Sequence, residues 1–315
     1  MNDTFYRIAV VGPGALGCLL AACLKEAGEE VRLVDYRPER ASFLTDQGIH
    51  LKTLDGAEKV VRVPCAFAPE VGLCNLTILT VKTYQTGAAA SSLPFLLAPD
   101  GVALTLQNGL GNLEEMARAA GPERLLAGVT MLGVTGEGWG KITFAGQGPT
   151  LVGLPHGSRV SRGQIQSVVA RLNRAGLEAH YRADIETALW EKLLINVGIN
   201  PLTALLRVRN GALPEIPEAW DLAAAAVLEA AQVARASGIN LTGDPLERLR
   251  QVCRNTAANR SSMLQDVLAG RPTEINALNG QITIRGRTLG IPTPTNDLLT
   301  KLLQSLGRVG EGEIG

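Results

Sequence analysis

Lys192, Asn196 and Asn200 follow one another at four-residue intervals within Trp190–Pro201, and on a helix that spacing stacks all three on one face. Leu193, Leu194, Ile195, Val197 and Ile199 make most of the remaining circumference apolar, as on a buried helix. A lysine among such neighbours needs polar company, because an unpartnered buried charge is too costly to keep. One ammonium and two carboxamides facing a polar cavity suit a small polar anion such as a keto acid. Partial desolvation would lower the lysine pKa and make it a useful general acid near neutral pH; its charge would also stabilise developing negative charge on oxygen. The competing role for Lys192 is snorkelling from a core helix to water. For Asn196 and Asn200 it is capping or bridging the backbone near Pro201, which is expected to end or kink the helix.

The second run that could do chemistry is Gly12-Pro13-Gly14-Ala15-Leu16-Gly17, between an apolar strand at Arg7–Val11 and a helix from Ala15 to Ala27 closed by Gly28. This is the dinucleotide fingerprint. The first glycine makes the turn, the second lets a pyrophosphate approach the backbone, and the third packs helix on strand. The helix N-terminus supplies N–H groups and positive potential for phosphates. A second strand, Val31 to Val34, ends at Asp35. Asp35 suits a free ribose 2′-hydroxyl, whereas Arg37 and Arg40 just beyond it suit a 2′-phosphate, so NAD is not excluded beside NADP.

The elements that must carry these residues alternate through the first half. A helix is expected at Pro38–Gln47 and a strand pair within Ile49–Val63 around the turn Asp55-Gly56. Strands follow at Leu76–Val81, Val102–Leu106 and Leu125–Val134. Lys82 and Asn108 follow the first two of these, where open α/β sheets bind ligands. Beyond Ala183 the chain turns rich in Ala, Leu, Glu and Arg, with helices expected at 184–199, 217–237, 245–257 and 296–306. The expected fold is an α/β N-terminal Rossmann-like doubly wound sheet over 1–183 plus an all-α C-terminal domain over 184–315. The glycine-rich tail from Gly307 to Gly315 is expected to fray.

Thirty basic residues balance thirty acidic ones over 315 residues, which gives no footprint for nucleic acid. Neither a signal peptide nor an apolar run long enough for a membrane span is visible, so a soluble cytoplasmic protein is expected. Five cysteines lack metal spacing, and His50, His156 and His180 show no mutual spacing for metal or relay work; no metal is expected.

Five segments in order carry a resemblance to the ketopantoate reductase (2-dehydropantoate 2-reductase) family: Gly12–Gly17; Thr80-Val81-Lys82-Thr83; Gln107-Asn108-Gly109; Trp190–Leu202; and Ser261–Asp266 with Thr273-Glu274-Ile275-Asn276. The resemblance runs from Arg7 to about Leu306 and implies a helical domain like the C-terminal domain of 6-phosphogluconate dehydrogenase. It implies NADPH as hydride donor, with Gly12, Pro13, Gly14, Ala15, Leu16, Gly17, Arg37, Lys82, Asn108, Val134 and Glu274 at the cofactor. Lys192 would be the general acid, with Glu274 beside it. Asn108, Lys192, Asn196, Asn200, Asn210 and Ser262 would hold the 2-oxo acid. Local roles compete here too: Asn210-Gly211 as a turn, Ser261 as a helix cap, Glu274 as a first-turn acid, Val134 as core packing. Where the family has aspartate this chain has Asn276, which removes one supporting charge. The implied reaction is reduction of ketopantoate to pantoate for pantothenate and coenzyme A synthesis, in a crevice between the two domains. The alternatives are a reductase of another 2-oxo acid and a dinucleotide-binding regulator without turnover. A homodimer is the base-rate expectation.

Overall fold

The computed structural model describes residues 6–311, with the side chains of 309–311 left out. The chain divides into two compact units. One is formed by the chain up to Gln107 with Asn112–Ile185, the other by Asn108–Gly111 with the chain from Glu186 on.

The first unit is built on an eight-stranded sheet. It starts with β1 (Arg7–Val11), α1 (Ala15–Glu26), β2 (Glu30–Val34), α2 (Pro38–Gln47), β3 (Ile49–Lys52), β4 (Glu58–Val61), β5 (Cys65–Ala66) and a short α3 (Ala68–Val71). It continues through β6 (Cys74–Leu79), α4 (Thr86–Ala90), α5 (Leu93–Leu96), β7 (Leu97–Thr105) and α6 (Asn112–Ala120). Then come β8 (Leu125–Thr130), β9 (Gly133–Gly138), β10 (Lys141–Gly146), β11 (Thr150–Gly153), α7 (Arg162–Arg174) and β12 (Ala179–Tyr181). The strand order is β12-β11-β8-β7-β6-β1-β2-β5. Strands β5 to β8 pair in parallel across β1, and β11 joins antiparallel to β8. The chain winds one way from β1 to β2 and the other way from β6, so the switch point lies between β1 and β6, as in doubly wound folds. Ile8, Val10, Leu33, Leu76, Ile78 and Leu104 are buried on this sheet, which is why its strands read as continuous apolar runs.

Three expectations need correction. The run from Leu125 to Val134 is two strands rather than one. Thr130 is the last residue of β8 to pair with β11, its hydroxyl accepts from Leu132 N (3.3 Å), and the chain then enters a second sheet of order β4-β3-β10-β9. Of that sheet only the hairpin β3–β4 was anticipated.

The second unit is helical: α8 (Ile185–Leu206), α9 (Pro217–Ala236), α10 (Pro245–Asn255), α11 (Ser262–Leu268), α12 (Asn279–Leu289) and α13 (Pro294–Glu311). Trp190, Leu193, Val197, Ala223, Val227, Leu249, Ile282 and Leu299 meet in its core. The second correction is that α8 runs through Pro201 to Leu206 instead of stopping near Ile199. Likewise α13 runs through Gly307 to Glu311 where fraying was expected, and residues 312–315 of that tail lie outside the described residues. Residues 1–5, part of the N-terminal stretch in which no signal peptide was expected, also lie outside them. Among the described residues no helix is long and apolar enough to cross a membrane.

Candidate active site

The glycine loop follows β1 at the switch point. Thr80, just past β6, donates its N–H to Val11 O (2.9 Å) and its hydroxyl to Gly12 O (2.8 Å), fixing the loop from the neighbouring strand. Gly12 has φ +98°, and a Cβ there would come within 2.5 Å of Val81 Cγ1. A Cβ on Gly17 would collide with Gly12 O and the Thr80 hydroxyl. A Cβ on Gly14, by contrast, would meet nothing within 4 Å. Two glycines therefore close the turn and the third faces open space. Helix α1 has no side-chain cap and no acid in its first turn, so its unpaired N–H groups remain for an anion. These residues fit a dinucleotide pyrophosphate.

At the end of β2, Asp35 is buried and accepts from Arg40 at both carboxylate oxygens, through Nε and Nη2, and from Arg37 N (3.2 Å). Burial alone would lower the Arg40 pKa, but bonding to Asp35 raises it on balance. The Arg37 side chain takes another course: its Nε donates to Tyr36 Oη (2.9 Å), and the guanidinium lies 5.2 Å from the Tyr36 ring centre. Lys82 is half-buried at the head of the 3₁₀ turn Thr83–Gln85. Val134 lies in β9, paired with Phe144 and partly buried against the core of the first unit. A Cβ on Gly136 of the same strand would stand 3.5 Å from Ala15 Cβ, which places β9 beside the glycine loop.

In the helical unit, Lys192, Asn196 and Asn200 all lie on α8. Lys192 is half-buried. Desolvation pushes its pKa down to about 8, against the opposing pull of the Glu274 carboxylate. That carboxylate is itself buried, at the head of the 3₁₀ turn Ile275–Ala277. Asn200 is 6 % exposed, and among the described residues neither its carboxamide nor that of Asn196 has a hydrogen-bond partner. The backbone work expected of Asn200 falls to Thr203, whose hydroxyl donates to Ile199 O (2.8 Å) and Asn200 O (3.1 Å).

Asn108 and Gly109 join this same unit. Leu110 N donates to Ala277 O (3.0 Å), so the Asn108–Gly111 segment lies against the turn that begins at Glu274. Ser262 is exposed at the start of α11, and Ser261 caps that helix by accepting from Leu264 N (3.1 Å). Asn210 starts a 3₁₀ segment, Asn210–Glu215, in place of a simple turn; its Nδ2 donates to Thr256 Oγ1 (2.9 Å) and its Oδ1 is buried without a partner. Asn276 points outward and accepts from Gln304 (2.7 Å), so the missing family charge would lie at the surface.

Three supporting residues were given no role in the sequence reading. Gln107 donates to Val81 O (2.9 Å) and Thr86 Oγ1 (2.7 Å), bracing the turn that carries Lys82. Its position beside Asn108 was the available signal. Thr203 and Asn279 hold α8, and both announce themselves only through partners distant in sequence.

The chain is similar to known proteins over nearly its whole length. Residues 8–157 match the model for "Ketopantoate reductase PanE/ApbA", and residues 184–307 match its C-terminal counterpart. A 2-dehydropantoate 2-reductase of Halobacterium salinarum is 36% identical over 305 residues, covering 96% of this chain and all of that protein. The PanE/ApbA family ketopantoate reductase of Ralstonia eutropha superposes with a TM-score of 0.88 at 28% identity, covering 97% of this chain and 100% of that one. D-mandelate dehydrogenase with NADH and anilino(oxo)acetate also superposes with a TM-score of 0.88, at 26% identity and the same coverage.

Proposed function

Because this chain belongs to the ketopantoate reductase PanE/ApbA family, we propose that it is an NADPH-dependent 2-dehydropantoate 2-reductase. The observation that carries the reading is Asn200, a residue 6% exposed whose carboxamide has no hydrogen-bond partner among the described residues, one turn from Asn196 and two from the desolvated Lys192. Carboxamides that no protein group engages remain open to hydrogen-bond a ligand.

In this reading residues 1–183 hold the dinucleotide and 184–315 hold the 2-oxo acid and the proton source. Gly12 to Gly17 take the pyrophosphate, Arg37 the 2′-phosphate, and Lys82, Asn108, Val134 and Glu274 contact the cofactor. Bound NADPH supplies hydride to the ketone carbon. Lys192 donates a proton to the carbonyl oxygen, and its charge stabilises that oxygen beforehand. Asn108, Asn196, Asn200, Asn210 and Ser262 bind the carboxylate and hydroxyl groups of the substrate. Glu274 keeps Lys192 charged more often than burial alone would allow. The setting we propose is cytoplasmic, as a homodimer, in pantothenate synthesis; five free thiols suit a reducing compartment.

The test is steady-state turnover of NADPH with ketopantoate, set against a panel of bulky 2-oxo acids. Preference for ketopantoate by kcat/KM supports the proposal, and negligible turnover of it rejects the substrate. A second reading, reduction of another bulky 2-oxo acid, is favoured by the equally close likeness to D-mandelate dehydrogenase. It would appear in the same panel as a preference for an aromatic 2-oxo acid.

A further inference from the structure

Pro201 stands inside α8, four residues after Val197. Having no N–H, it leaves Val197 O without its intrahelical donor, which is ordinarily a reason for a helix to kink or stop. The structure supplies a replacement from outside the helix. Asn279, the first residue of α12 and 0% exposed, donates Nδ2 to Val197 O at 3.0 Å.

Asn279 is itself held. Its Nδ2 also donates to Asn296 Oδ1 (3.0 Å), and Asn296 Nδ2 donates to Ala226 O (3.0 Å) and Glu229 Oε2 (2.7 Å). Glu229 on α9 accepts from Thr295 N (2.8 Å) and Asn296 N (3.0 Å) in the first turn of α13. A continuous polar chain thus runs from a carboxylate at a helix start, through two carboxamides, to the one α8 carbonyl that Pro201 leaves open. Asn279 Oδ1 is buried with no partner, so the residue is kept there for its donors alone.

The carbonyl it holds belongs to the residue next to Asn196 and three before Asn200. We propose that Asn279 is a positioning residue: by substituting for the proline's missing N–H, it fixes the α8 turn from which Asn196 and Asn200 reach the 2-oxo acid, with Glu229 and Asn296 holding it in turn. This rests on the reading that those two asparagines bind the substrate. Displacement of that turn misplaces both amides together, whereas the glycine loop for the nucleotide belongs to the other unit.

The experiment is a double-mutant cycle on KM for ketopantoate. N279A, purified and shown folded by circular dichroism, is expected to raise KM by about tenfold, as small misplacements of binding groups do. Its Kd for NADPH should stay at the parent value. Pro201→Ala restores a backbone donor to Val197 O, so the double variant P201A/N279A should return KM to within about threefold of P201A alone. A role confined to stability would lower Tm and leave KM of the folded enzyme untouched. Unchanged KM in folded N279A, or a raised KM that P201A fails to restore, overturns the inference. Should N279A not fold, E229Q weakens the same chain more gently and is expected to raise KM about two- to threefold; no change there overturns it equally. Asn200→Ala is measured alongside. If it leaves KM unaltered, the substrate-site reading fails, and that failure is distinct from this one.

Discussion

Arg40 takes up both carboxylate oxygens of Asp35, through Nε on one and Nη2 on the other, while Arg37 N also bonds Oδ1. These three bonds engage most of the acceptor capacity that a free ribose 2′-hydroxyl would draw on. The Arg37 guanidinium, lying on the exposed ring of Tyr36, stays near the surface where a 2′-phosphate would be held. NADPH is therefore expected to be preferred over NADH. R37A should lower kcat/KM for NADPH by about tenfold or more, the worth of a charge-assisted contact, and change the NADH value little. R40A releases Asp35 and should shift the ratio toward NADH. Parallel kinetics with both cofactors decide this, and a parent enzyme indifferent to the 2′-phosphate would contradict it.

Lys192 acts as an acid only while protonated, and burial brings its pKa down to about 8. The logarithm of kcat/KM should therefore be level below that pH and fall as pH rises through it. Glu274 opposes the downward shift, so Glu274→Gln should move the falling limb to lower pH. K192A should lose about 10³-fold or more in turnover, since proton donation and charge stabilisation go together. The same group gives a sign for stability. Its folded pKa lies below the unfolded one near 10.5, so the fold disfavours the charged form, and that penalty is present below pH 8 and fades as pH climbs from 8 toward 10.5. Denaturant titrations across that interval should show the parent gaining stability relative to K192M.

Much of this was legible along the chain because its determinants are local. The glycine loop, the strand before it and the helix after it are neighbours in sequence, and the Lys192–Asn196–Asn200 face follows from helical period alone. The end of α8 was not legible, because the group that satisfies Val197 O comes from Asn279, 82 residues away. The break after Thr130 was hidden for a related reason. The apolar run continues across it, and what ends β8 is loss of pairing with β11 together with a turn closed by the Thr130 hydroxyl. Asn276 misled in another way: its place in a motif implied a charge at the site, and its bond to Gln304 shows a surface position.

Thr203 and Ser261 share a buried hydroxyl–hydroxyl bond of 2.7 Å, which joins α8 just past Asn200 to the cap of α11 just before Ser262. Ser261→Ala removes the cap and the link together and should cost about 1–2 kcal/mol of unfolding free energy. Thr203→Val keeps the cap but removes the link together with the hydroxyl's bonds to Ile199 O and Asn200 O. If the pair also sets the distance between the asparagine face and Ser262, KM for the 2-oxo acid should rise in T203V at unchanged Kd for NADPH. Urea titration with substrate kinetics on both variants separates the effects. Parent-like stability in S261A would show both cap and link to be negligible.

Gly109 reads a constraint that only glycine meets. Its φ is +76°, and a Cβ there would be driven into Ala277 O, with Ala277 Cβ at 3.0 Å. Beside it, Leu110 N donates to that same Ala277 O at 3.0 Å. Alanine at 109 therefore faces both an unfavourable backbone region and a collision with the acceptor of the neighbouring bond, and backbone can yield only by moving the turn that starts at Glu274. G109A should lose about 1–3 kcal/mol of stability. Because Glu274 is the group that holds the Lys192 charge up, displacing its turn should also shift the falling pH limb downward, in the direction expected for E274Q but by less. A pH–rate profile of G109A checks this: a lowered Tm with the limb unmoved would separate the Gly109 contact from the setting of the Lys192 proton.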